Sequence, residues 1–117
     1  MVTDLDEFSE VLISSNPFYD WIEKNIRDID YKLLKGIITN IVPLGGAGRK
    51  YFKKVAYKKT GFTLELWKLY TRLEKMYLEG NLKINSYLEL EYLGYTGESM
   101  SEKYPVDDIL KYIKNKA

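Results

Sequence analysis

Ser86-Tyr87-Leu88-Glu89-Leu90-Glu91-Tyr92-Leu93-Gly94 is the stretch on which the fold turns, because it supports two readings. Leu88, Leu90 and Tyr92 alternate with Glu89 and Glu91, the period of a half-buried strand. With Asn81 to Ile84 ahead of it and a turn at Asn85-Ser86, the alternation predicts a small β-hairpin. The same residues also carry helix signals. Ser86 and Glu89 have capping-box spacing, and Gly94 can end a short helix. The hairpin is preferred, because a helix here would have only about two turns. The expected class is therefore mainly α with a small β-hairpin.

Upstream, Leu66, Leu69, Tyr70, Leu73, Met76 and Tyr77 fall at i, i+3, i+4, i+7, i+10 and i+11. They predict an amphipathic helix over about 64–79, with Thr63 as its cap and Gly80 as its stop. Phe52, Val55 and Ala56 stripe a helix over about 48–59, and Thr60-Gly61-Phe62-Thr63 turns between the two. Leu44-Gly45-Gly46-Ala47-Gly48 reads as a flexible loop. Leu34, Ile37, Ile38 and Ile41 mark a helix that Asp28 or Asp30 caps and Pro43 ends. Asn16-Pro17 starts a helix to about Ile26, and Thr3 caps an acidic one over about 4–13. Pro105 opens a C-terminal helix.

The 117 residues contain no linker, repeat or low-complexity segment. They are read as a single domain: acidic N-terminal helices over 1–30, a core over 31–97 and a C-terminal helix over 104–117. The net charge of +1 conceals segregation. Residues 1–30 hold eight acids and two bases; residues 31–83 hold twelve bases and three acids; residues 84–117 hold six acids and four bases. A middle this basic suits an anionic polymer even in a nearly neutral protein.

Cysteine and histidine are both absent. Disulfides, thiolate metal sites and Cys or His nucleophile–base pairs are thereby excluded. Glu89 and Glu91 would share a strand face, where a solvated role is the ordinary one. The expectation is a protein that is no enzyme and carries no cofactor or metal. No apolar run approaches the roughly 18 residues of a membrane span. The acidic N-terminus is wrong for a signal peptide, so a cytoplasmic protein is expected.

Two helices joined by a four-residue turn containing Gly, followed by a hairpin, give the order of a winged helix-turn-helix. In Ala56-x-x-x-Thr60-Gly61-Phe62-Thr63, a small residue lets the helices approach, Gly61 turns, Phe62 plugs the core and Thr63 caps the next helix. Arg72 to Leu82 resembles a recognition helix entering its wing. Tyr87-Leu88-Glu89-Leu90, with Tyr95-Thr96-Gly97, resembles the returning wing strand of PadR- and MarR-like regulators. The resemblance covers roughly 31–97. It implies a winged helix-turn-helix with extra N- and C-terminal helices and sequence-specific binding of double-stranded DNA. Transcriptional regulation, or plasmid or viral partition or replication control, would follow, with a homodimer reading two-fold related half-sites. The Lys-, Ile-, Tyr- and Glu-rich composition fits a thermophilic source, an archaeon or its virus or plasmid.

On that reading, Thr63, Trp67, Lys68, Thr71, Arg72 and Lys75 face bases in the major groove, where Arg72 can grip a guanine bidentately. Gly48, Arg49, Lys50, Lys53, Lys54, Lys58 and Lys59 hold the DNA backbone, the glycine-rich helix start serving as an anion site. If all six bases from Arg49 to Lys59 met phosphate, affinity would fall with salt at a log–log slope of about −5. Two alternatives stand beside it. One is a helical protein-interaction module, such as an adaptor, virion component or inhibitor, with the acidic N-terminal face as a partner surface. The other is single-strand or RNA binding, in which Tyr51 and Tyr57 stack on bases.

Overall fold

The chain is described from a computed structural model that covers residues 13, 15–60, 64–99 and 102–116, without the side chains of 59, 60 and 112–116. The acidic helix expected over 4–13 and the turn at Gly61-Phe62-Thr63 lie outside the described residues, apart from Ile13, which is buried.

Helix α1 (Pro17–Asn25) starts as its sequence dictates, the Asn16 carboxamide oxygen accepting the Phe18 N–H at 2.9 Å. Helix α2 (Tyr31–Ile38) starts in the same manner, with Asp30 accepting from the Leu33 N–H at 2.9 Å. After α2 the chain stays buried through Thr39, Asn40, Ile41 and Val42, then forms a short 3₁₀ turn, Val42–Leu44, with Pro43 in its first turn. Helices α3 (Gly45–Thr60) and α4 (Leu64–Leu78) follow. Both pack on the Val42–Leu44 turn, as does the C-terminal helix α6 (Pro105–Lys116). Helix α4 also packs on α2, and α3 on α1 and the 3₁₀ turn Ile26–Asp28.

A buried polar hub welds these elements. Asn40, fully buried, donates from Nδ2 to the Asn85 carbonyl at 2.8 Å and accepts the Val106 N–H on Oδ1 at 3.0 Å. Its own carbonyl accepts the Tyr19 hydroxyl at 2.7 Å. One residue thus ties together α1, the 81–86 segment and the start of α6. Next to it, the Thr39 hydroxyl donates to the Gly36 carbonyl at 2.6 Å and accepts the Asn85 N–H at 3.0 Å. Burying an amide is costly unless its bonds are made, and here they are made to distant segments. Around the hub the core is aromatic. Phe18 meets Tyr19 edge-on at 4.9 Å and Tyr95 at 5.2 Å, and Trp21 meets Tyr95 at 4.7 Å.

The β-hairpin is overturned, and the winged helix with it. Among the described residues there is no strand, and 87–93 form α5 (Tyr87–Leu93). The inward residues are Tyr87 and Leu90, with Leu93 half-buried, at helical spacing. Leu88 and Tyr92, which completed the strand-like alternation, are 76% and 93% exposed. Local bonding explains the outcome. The capping box closes both ways, Ser86 Oγ accepting from Glu89 N–H at 3.2 Å and Glu89 Oε1 accepting from Ser86 N–H at 2.9 Å. At the other end Gly94, at φ 123°, lets the Tyr95 N–H reach the Leu90 carbonyl at 2.9 Å. A strand here would need a partner to take its backbone groups, whereas the helix satisfies its own. Glu89 and Glu91 therefore share no strand face. A second correction is smaller: α3 begins at Gly45, so the expected 44–48 loop is already helix.

Two substitutions separate the hub from the rest of the core. Asn40→Ala leaves the buried Val106 N–H and the half-buried Asn85 carbonyl without this partner and should cost about 2–4 kcal/mol in urea unfolding. Tyr70→Phe should shift stability by less than about 0.5 kcal/mol, since the buried Tyr70 hydroxyl has no hydrogen-bond partner among the described residues. A third expectation concerns Glu89, whose carboxyl the Lys83 ammonium (2.6 Å) and then the Ser86 N–H hold at about 2, below the ordinary 4.5. Its folded-state value is depressed, so this stabilisation is complete above about 4.5 and fades as pH falls through about 2. A carboxyl-carbon NMR titration should place the Glu89 midpoint near 2.

Candidate nucleic-acid interface

Leu69, Tyr70 and Leu73 anchor α4 in the core, and Tyr70 stacks on Phe52 of α3 at 4.6 Å. That inward face fixes the outward one. Lys68, Arg72 and Lys75, at i, i+4 and i+7, all stand exposed on α4. Among the described residues none of the three makes an ion pair.

The other residues expected to read bases are differently engaged. Trp67 is half-buried, stacked parallel on Tyr70 at 5.6 Å, with the Lys53 ammonium 5.0 Å from its ring centroid. Thr71 is half-buried and its hydroxyl donates back into its own helix, to the Trp67 carbonyl at 3.0 Å. Thr63 lies outside the described residues.

The bases of α3 are largely engaged within the protein. Arg49 pairs with Glu74 of α4 at 2.7 Å, and the contact raises the guanidinium pKa. Lys54 and Lys58 converge on Glu23 of α1 at 3.5 and 3.6 Å. Arg27 donates from Nε to the Lys58 carbonyl at 2.7 Å, placing a cation at the C-terminal end of α3. Lys50 is exposed and makes no ion pair among the described residues, and the Lys59 side chain lies outside them. Gly48 is buried rather than presented to a phosphate. A Cβ there would run into the Ile41 carbonyl oxygen and lie 2.9 Å from Leu44 Cβ. Its glycine serves close packing of α3 on the chain that precedes it. Tyr51, expected as a stacking residue, is fully buried and donates its hydroxyl to the Tyr19 carbonyl at 2.5 Å. Burial raises its pKa well above the ordinary value. Tyr57 is 69% exposed.

The structure adds cations that the sequence reading left out. Lys32 and Lys35 of α2 face a cleft of about 650 Å³ together with Arg72 of α4 and Lys83. Lys32-x-x-Lys35 has the spacing of a single helix face, but only the packing of α2 on α4 brings that face beside Arg72.

Among the described residues no cluster of three or more acidic side chains is placed to hold a metal ion. No described helix is long and apolar enough to cross a membrane. The chain matches no protein-family model, no curated protein and no solved structure.

Gly48→Ala tests the reassignment of that glycine. Overpacking against backbone should lower stability by about 1–3 kcal/mol in chemical unfolding, an effect that a phosphate-contacting surface glycine would not produce.

Proposed function

We propose that the protein binds double-stranded DNA through the exposed face of α4, in a regulatory role such as transcriptional, partition or replication control. The observation that carries this reading is the division of charge. Glu23 and Glu74 take up Lys54, Lys58 and Arg49, while Lys68, Arg72 and Lys75 remain exposed along one stripe. A single α-helix fits the major groove, and a stripe at i, i+4 and i+7 presents its cations to one groove at once. Arg72, central in the stripe, is the residue suited to bidentate contact with guanine, and Lys68 and Lys75 flank it toward phosphate. Without a wing the contact is confined to helices, and α3 supports α4 rather than gripping the backbone along its length.

Binding to a labelled random duplex, followed by fluorescence anisotropy across a salt series, tests this. The expected log–log slope is about −3, since three cations rather than six meet the duplex. Lys75→Ala should weaken all sequences alike and reduce the slope by about 1. Arg72→Ala should relax the preference at one base pair in a site selected from a random pool, by about 1–3 kcal/mol. Absence of duplex binding at low salt would overturn the reading in favour of a protein-interaction module.

A further inference from the structure

The cleft beside α4 has a composition that charge repulsion alone disfavours. Four cations from three segments line it: Lys32 and Lys35 from α2, Arg72 from α4 and Lys83 from the extended stretch after it. Among the described residues no aspartate or glutamate lines the cleft. Lys83 is compensated outside the cleft by Glu89 at 2.6 Å, whereas Lys32, Lys35 and Arg72 make no ion pair among the described residues. Bringing like charges into one concavity is unfavourable, and a bound anion reverses the sign of that interaction. The remainder of the lining is mixed. Met76, Leu82 and Leu93 supply apolar surface, and Asn81 and Asn85 supply polar groups.

At about 650 Å³ the cleft is within the range of small-molecule sites, and a lining that combines cations with apolar surface suits a ligand carrying both an apolar ring and multiple negative charges. We propose that it binds a nucleoside triphosphate, the polyphosphate chain lying among Lys32, Lys35 and Arg72 and the base against Met76 and Leu82. Guanidinium and ammonium groups are the side chains that take phosphate oxygens, Arg72 as a fork and the lysines as point charges. The site stands on its own lining and does not depend on DNA binding by α4, although Arg72 belongs to both.

Isothermal titration calorimetry of the full chain in low salt, without DNA, tests the proposal with ATP, GTP and inorganic tripolyphosphate as probes. ATP or GTP is expected to bind with a dissociation constant below about 1 mM, and tripolyphosphate several-fold more weakly because it lacks a base to cover the apolar surface. The double substitution Lys32→Gln/Lys35→Gln should weaken nucleotide binding at least about tenfold. Lys24→Gln, which removes one positive charge from a lysine paired with Asp20 on α1, should leave it unchanged. Amide NMR shifts on adding ATP should cluster at Lys35, Gly36, Asn81 and Asn85. No nucleotide binding at about 1 mM, or equal losses in both variants, would overturn the site. Tripolyphosphate binding as tightly as ATP would overturn the nucleoside assignment. Duplex binding by the unmodified chain is measured separately, so failure of this site is distinguishable from failure of the DNA reading.

Discussion

The buried carboxamide of Asn40 holds the rest of the fold in register. A donor and an acceptor on one short side chain, enclosed in apolar surroundings, admit few arrangements, because every unmade bond there carries a desolvation penalty. Its partners, the Asn85 carbonyl and the Val106 N–H, lie 45 and 66 residues away in sequence. Hydrophobic burial brings α1, α2, α5 and α6 together without direction; Asn40 supplies the direction. Asp108 continues the same logic by accepting the Tyr87 hydroxyl at 2.6 Å and the Glu102 N–H at 3.0 Å. These bonds tie α5, the 102–104 segment and α6 to one another.

That framework decides how charge is presented. Acidic residues of α1 and α4 are spent internally, Glu23 on two lysines of α3 and Glu74 on Arg49. The α3 lysines thereby help dock α3 onto its neighbours, and Lys53 covers Trp67 rather than solvent alone. Exposed cations without an ion pair among the described residues include Lys68, Arg72 and Lys75 of α4, Lys32 and Lys35 of α2 and Lys50 of α3. Because α4 packs on α2, Arg72 of the exposed α4 stripe also lines the cleft with Lys32 and Lys35.

Much of this was legible in the sequence wherever a signal was local. Asn16-Pro17, Asp30, Pro105 and Gly80 mark helix ends because capping depends on side chains within a few residues of the backbone they serve. The inward face of α4 follows from its 3.6-residue period. Of the candidate site, Lys68, Arg72 and Lys75 could be read from that same period, as the residues opposite the core face. Trp67 could not be placed so, since its position at the edge of the apolar face leaves both outcomes open until Tyr70 and Lys53 are seen around it.

The sequence by itself determined that this is a mainly helical chain with its basic residues concentrated between 31 and 83, because composition and helical period are properties of short windows. It left 86–94 balanced between strand-like alternation and a capping box, and the tertiary structure decided for helix. Tyr87 and Leu90 find the core at a spacing of three, while Leu88 and Tyr92 find only solvent. The tertiary structure alone also decided which lysines are neutralised and which are offered. An ion pair such as Lys54 with Glu23, or a cleft joining Lys35 to Arg72, joins residues whose separation in sequence carries no period to read.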